Sequence, residues 1–159
     1  MRHTRLLILT TMCLAAASPA FAAATPFIGT STSPSNRTAK GFALGMGLLV
    51  IGFEFEYAST SEEPSEAAPS LRTGMGNVLL QTPVAIFGFQ PYWTAGAGAY
   101  RERLGDIQET HLGVNTGGGV KISLIGPVRA RVDYRVFNLR GEPLHSTVHR
   151  VYAGANLVF

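Results

Sequence analysis

From residue 23 onward the chain alternates apolar residues with small or polar ones, in runs separated by turn-rich breaks. A period of two means strands whose two faces meet different surroundings. The clearest run is Val128 to Phe137, where Val128, Ala130, Val132, Tyr134 and Val136 share one face and Arg129, Arg131, Asp133 and Arg135 share the other. Ile51, Phe53, Phe55 and Tyr57 stand opposite Gly52, Glu54 and Glu56 in the same way. Leu112, Val114, Val120, Ile122 and Leu124 alternate with His111, Asn115, Gly117, Gly119 and Lys121. At the C-terminus, Val151, Ala153, Ala155, Leu157 and Phe159 alternate with Arg150, Tyr152, Gly154 and Asn156. The pattern predicts eight strands, at 26–32, 41–47, 51–59, 71–82, 91–103, 110–123, 127–139 and 147–159. Helix is not expected here, because glycines and β-branched residues fall inside the periodic segments.

The connections also alternate. Ser33 to Lys40, Thr60 to Ser70, Leu104 to Glu109 and Arg140 to Ser146 are polar, whereas those near Gly47 and Leu48 and at Gly126 and Pro127 are tight. Pro83 to Gln90 is the exception, being apolar and longer than a tight turn needs. Long loops at one end and short turns at the other are the arrangement of an up-and-down transmembrane barrel. The loop holding Glu62, Glu63 and Glu66 is acidic and expected to be mobile; it is the first candidate for a contact surface, against the plainer reading of a merely solvated loop.

The N-terminus sets the compartment. Basic Met1 to Arg5, the apolar run Leu6 to Ala17, Pro19, and the small residues around Phe21 read as a secretory signal cleaved after Ala22. About a dozen apolar residues at 1.5 Å each are too short to cross ~30 Å of hydrocarbon. The single cysteine, Cys13, lies inside that leader, too early for a lipoprotein acylation site, so the exported chain is expected to hold no disulfide and no thiolate metal site. Without Arg2 and Arg5, 11 basic residues face 10 acidic ones. A near-neutral domain argues against nucleic acid as the partner. The expected organisation is therefore a signal peptide at 1–22 and one domain at 23–159. No later segment reaches 18 consecutive apolar residues, so any membrane crossing has to be made by strands.

Alternation alone does not distinguish a soluble barrel, apolar inside, from a membrane barrel, apolar outside. Three features favour the second. The apolar faces run for four or five positions, the length a tilted strand needs to cross. The polar faces carry glycine and both signs of charge. The chain ends on an aromatic, with Leu157, Ala155, Ala153 and Val151 before it at every second place. With Gly117 to Lys121 and Val132 to Arg135, this C-terminal pattern resembles small outer-membrane β-barrels of the OmpA/OmpX-like superfamily, over essentially all of 23–159. The resemblance implies an all-β, eight-stranded antiparallel barrel in an outer membrane. It also implies lipid as surroundings, and an insertion machinery that reads Val151, Ala153, Ala155, Leu157 and Phe159. An open soluble sheet or a lipocalin-like barrel is the alternative. In hydrocarbon every strand N–H and C=O needs a partner, which forces the sheet to close. Eight strands leave a lumen that side chains can fill.

On this reading Glu54, Glu56, Glu102, Lys121, Arg129, Arg131, Asp133, Arg135 and Arg150 point inward. An Arg–carboxylate network is expected, with Arg129 and Arg131 facing Glu54 and Glu56, since paired charges are the tolerable kind in a low-dielectric interior. Gly96, Gly98, Gly117 and Gly119 are expected to make room for the arginines. The network is either a plug or the lining of an ion path, and the small circumference favours the plug. Trp93, Tyr57, Tyr134 and Phe159 are candidates for interfacial aromatic girdles.

Catalysis is not expected. Glu142, His145, Ser146 and His149 supply the residue types of a hydrolase, but the first three fall in a polar loop. Outer-membrane lipid A deacylases carry His and Ser two apart on a strand; here they are adjacent. His111 and His149 approaching at the outer rim would make a weak metal site. Gly117 to Gly119 lies inside a strand rather than before a helix, so no phosphate loop is supported, and the acceptor spacing Asn36 to Thr38 carries no weight in a bacterial setting. No cofactor is called for. The expected role is structural, for envelope integrity, or surface-binding, with a narrow channel and a lipid A hydrolase as alternatives.

Overall fold

The computed structural model describes residues 21–159 apart from 34, 67, 106, 142 and 144. The leader proper and Cys13 lie outside the described residues, as does Glu142 of the candidate hydrolase set. Eight strands form one closed antiparallel barrel: β1 (Phe21–Ser31), β2 (Arg37–Leu48), β3 (Ile51–Thr60), β4 (Ser70–Gln81), β5 (Phe89–Leu104), β6 (Ile107–Ile125), β7 (Val128–Leu139) and β8 (Thr147–Val158). Each strand pairs with its sequence neighbours, and β1 closes on β8 from Ala23 opposite Val158 to Ser31 opposite Arg150. No edge is left over, so every strand can satisfy its backbone groups inside the sheet.

The wall is apolar outside and polar inside. Arg135, Arg150 and Glu56 are each 0 % exposed, whereas Leu44, Phe53 and Phe55 are about half exposed. A water-soluble barrel requires the opposite distribution, because unpaired burial of charge and wholesale exposure of large apolar side chains both cost free energy. Trp93 and Phe159 lie on the outward face near the turn end, with Tyr57, Tyr134 and Phe42 towards the loop end.

Strand ends depart most from the sequence reading. β1 starts at Phe21, two residues before the expected cleavage point, and Ala22 and Phe159 exchange backbone hydrogen bonds of 3.1 and 2.9 Å. β2 starts at Arg37 rather than 41, because Arg37, Thr38 and Lys40 continue the alternation with polar residues on both faces. The loop expected between Leu104 and Glu109 is mostly strand. Gly105, at φ +59°, lets β5 turn directly into β6, and Arg101 Nε donates to Thr110 Oγ1 across the extended hairpin at 3.1 Å.

The loop after β3 holds one turn of 3-10 helix, Pro64–Glu66, the only departure from the all-strand expectation among the described residues. This acidic loop is tied down: Ser65 Oγ donates to Glu63 Oε1 at 2.6 Å, and Gly105 N donates to Glu62 Oε1 at 3.0 Å. Arg37 donates to the carbonyls of Pro69, Ser61 and Ser33, fastening two loops to one guanidinium. At the opposite end the apolar connection folds back on itself through an Ile86–Phe89 bridge and leaves Phe87 almost wholly exposed.

Candidate functional site

The lumen has three layers, two filled and one hollow. Towards the loop end, Leu71, Met75, Tyr100, Phe137, Leu139 and Val148 pack into an apolar cluster, and Tyr100 donates its hydroxyl to Arg140 O at 2.6 Å. The inward faces of β7 and β8 are polar in mid-barrel and apolar here, and that of β4 mixes the two, so the period-two pattern does not betray this layer. Phe27 stacks on Tyr152 beside it, ring centroids 4.2 Å apart.

The middle layer is a balanced charge network. Arg131 grips Glu54 with both terminal nitrogens, Nη1 to Oε2 and Nη2 to Oε1 at 3.1 Å. It also reaches Asp133, Nε to Oδ2 at 2.7 Å and Nη2 to Oδ1 at 3.1 Å, and donates from Nε to the Tyr92 hydroxyl at 2.7 Å. Arg135 bridges Glu54 at 2.8 Å and Glu56 at 3.0 Å. Arg150 lies 3.4 Å from Glu56, and Tyr152 donates its hydroxyl to Glu56 Oε2 at 2.7 Å. Three cations therefore meet three carboxylates. Aromatic faces supply the rest: Arg131 lies 5.1 Å over Tyr92, Arg135 5.7 Å over Tyr152 and Arg150 4.4 Å over Phe137. Such multiply hydrogen-bonded pairs offset the desolvation that would otherwise make buried charge untenable.

Towards the turn end lies a cavity of about 320 Å³, whose lining includes Lys121, Arg129, Gln81, Gln90 and Asn156. Two sequence expectations are corrected here. Arg129 does not join the carboxylates but donates to Gln90 Oε1 at 2.9 Å, and Lys121 donates to Gln81 Oε1 at 2.9 Å. Both donate to glutamines in a cavity whose lining also includes Glu54. Glu102 faces inward as expected and is buried at the loop end, close enough to Arg37 for its charge to act there. The carboxylates meet Arg131, Arg135 and Arg150 instead.

The glycines also act differently from expectation. A Cβ on Gly119 would stand 2.5 Å from the Tyr92 hydroxyl, and one on Gly96 would strike Asn77, so these two clear space for a phenol and an amide. Gly117 alone of the four stands against an arginine side chain, Arg135, and Gly98 lies against backbone of the neighbouring strand. Tyr92 and Tyr152, the two phenols of the network, were missed because an aromatic residue carries no polar signal in an alternation count.

His111 and His149 lie on opposite sides of the wall, so the weak metal site considered for them does not form. His111 is on the inward side with Glu109, 3.3 Å away; His149 is on the outward side, its Nδ1 2.7 Å from the Tyr134 hydroxyl. Among the described residues no group of three His, Cys, Asp or Glu side chains is placed to hold a metal. No carboxylate shares the outward face with Tyr134 and His149 among the described residues, so the phenol–imidazole pair lacks the acid of a hydrolytic triad.

No protein-family model matches the sequence, and no curated protein matches it. Solved structures do. Neisserial surface protein A is similar over 88 % of this chain and 97 % of its own, with a TM-score of 0.70 and 16 % identity. Ail, the attachment invasion locus protein of Yersinia pestis, crystallised with the heparin analogue sucrose octasulfate, is similar over 89 % of this chain and 99 % of its own (TM-score 0.56, 13 % identity). The outer membrane enzyme PagL is similar over 85 % of this chain and 98 % of its own, with a TM-score of 0.53 and 12 % identity. The chain has the fold of the small eight-stranded outer-membrane barrels. At this identity the likeness speaks for architecture alone, and it extends to a surface protein, an attachment protein and an enzyme alike.

Proposed function

We propose that this chain is a non-catalytic outer-membrane barrel, exported by a leader removed at 1–22, whose sealed wall serves envelope structure and whose loops meet surface ligands. The observation that carries this reading is the inside-out wall, with buried, paired charge in the lumen and a continuous apolar belt outside. The outward placement of Val151, Ala153, Ala155, Leu157 and Phe159 suits a C-terminal strand handed to an insertion machinery through its lipid-facing edge residues. The loops after β1 and β3, fastened together by Arg37, form a defined surface rather than a floppy fringe, which supports a binding role.

The test is electrophoresis of the outer-membrane fraction in detergent, boiled and unboiled. A closed barrel in that membrane gives a band that shifts on boiling. Recovery in the soluble periplasmic fraction with no shift would overturn the reading. A channel is disfavoured by two filled layers above the turn-end cavity, and the same protein in a planar bilayer is expected to give no steady conductance. The likeness to PagL keeps lipid A hydrolysis as a reading to test: overexpression is expected to leave lipid A mass unchanged, and a lost acyl chain would establish an enzyme.

A further inference from the structure

We propose that the outward face of β2 to β6, just above the apolar belt at the loop end, is a docking site for phosphate groups of lipid in the surrounding leaflet. This proposal rests on the membrane placement argued above. Four basic residues face outward from the strands, Lys40, Arg72, Arg101 and Arg103, and all are exposed. The strand carboxylates, Glu54, Glu56, Glu102, Glu109 and Asp133, all stand on the inward side, so among the described residues the outward strand faces carry no acid.

The register arranges the cations further. Lys40, Ser59, Arg72, Arg101 and Thr110 are successive cross-strand partners, forming one polar row. The next row towards the turn end is Phe42, Tyr57, Gly74, Ala99 and Leu112, the upper edge of the apolar belt. Arg103 stands one step above, opposite Ser70 and Gln108. A recess of about 110 Å³ opens among Arg72, Arg101, Arg103, Ser70, Gln108 and Glu62.

Arg72 lies directly opposite Arg101, a like-charge pair that destabilises a ladder unless an anion separates it. Among the described residues none of Arg72, Arg101 and Arg103 forms an ion pair with a carboxylate. Arg101 and Arg103 use Nε on Thr110 Oγ1 and Gly105 O, both at 3.1 Å, which fixes the guanidinium planes at the row. Glu62 is the one carboxylate among the described residues lining the recess, and its Oε1 already accepts from Gly105 N. Three guanidiniums thus converge where a lipid headgroup lies if its acyl chains cover the apolar belt. Forked donors at fixed spacing suit phosphate, and the chains supply the contact that a soluble anion lacks.

The experiment uses the refolded barrel in zwitterionic micelles, titrated with a bis-phosphorylated glycolipid (lipid A), its dephosphorylated form, inorganic phosphate and a sulfated oligosaccharide. Wild type is expected to retain the phosphorylated lipid. The triple variant R72Q/R101Q/R103Q is expected to hold it on the order of a hundredfold more weakly, at roughly fivefold per near-surface cation. Arg140→Gln, a loop change away from the row, is expected to leave retention intact, and the triple Arg→Lys variant to keep most of it. Equal retention by R72Q/R101Q/R103Q overturns the proposal. So does full competition by millimolar inorganic phosphate, which makes this a free-anion site, or binding of the sulfated oligosaccharide in place of lipid. The boiling shift is read on the same preparation. A shift without lipid retention overturns this proposal alone, and no shift removes the membrane reading beneath it.

Discussion

Arg131, Arg135 and Arg150 lie on the inward side of the barrel wall, wholly buried, each within reach of one or more of Glu54, Glu56 and Asp133. Arg72, Arg101 and Arg103 lie on the outward side, exposed, with no strand acid on their face among the described residues, and the loop carboxylate beside them, Glu62, accepts from Gly105 N. The same side chain is handled in two ways because the surroundings differ. In the lumen the guanidiniums are buried away from bulk solvent, so their counter-charge has to come from the chain itself. On the outward side an acidic neighbour would sit at the edge of hydrocarbon, and the counter-charge is left to whatever borders the wall. Sorting of carboxylates, rather than of arginines, separates the two sets.

The largest effect is expected inside. Arg131→Ala leaves Glu54 and Asp133 buried beside a void, and should cost about 3–5 kcal/mol in urea unfolding of the refolded barrel. In that background Glu54→Gln should cost less than it does in wild type, by about 1–3 kcal/mol, if the two groups act as a pair. Additive costs would mean that Arg135 alone holds Glu54 and that the bidentate contact contributes little.

The next effect locates the boundary between the two environments. Phe55→Arg places a charge in the middle of the apolar belt, where it should cost about 2–4 kcal/mol in a bilayer. Leu112→Arg, in the belt row beside Arg101's, should cost only about 0–1 kcal/mol, as a site near the interface does. If both substitutions cost the same, the row of cations does not mark the edge of the hydrocarbon, and the contrast between inner and outer arginines loses its physical basis.

How much of this was legible beforehand follows the same division. Facing was legible, because a period of two assigns each residue of a strand to one side: Arg131, Asp133 and Arg135 inward, Val132 and Tyr134 outward. Partnership was not. Which inward residues meet across the lumen depends on depth along tilted strands, so Arg129 and Lys121 fell to Gln90 and Gln81, and Glu56 fell to Arg135 and Arg150. The apolar layer at Leu71, Phe137 and Leu139 was hidden because these residues share a face with polar ones, and an alternation count reads them as the end of a strand. Strand ends were illegible for a related reason. Above the belt the outward face turns polar, so hydropathy stops marking the wall while the hydrogen-bond ladder continues.

The smallest expected effect is the most telling for the outer set. Arg101→Gln removes an exposed charge whose ladder partner is Arg72, and surface changes away from packed features shift stability by no more than about 0.5 kcal/mol. In zwitterionic micelles the change should therefore be neutral or slightly stabilising, because it relieves like-charge opposition. In vesicles that contain a phosphorylated glycolipid the sign should reverse, since the variant forfeits a charge-assisted contact that wild type makes only in the folded state. Urea unfolding of both proteins in the two environments measures this directly. A difference that stays constant across lipids would make the outer arginines ordinary solvated surface. A reversal confined to phosphorylated lipid would mean that these cations are balanced like the inner ones, with the counter-ion drawn from the membrane instead of from the chain.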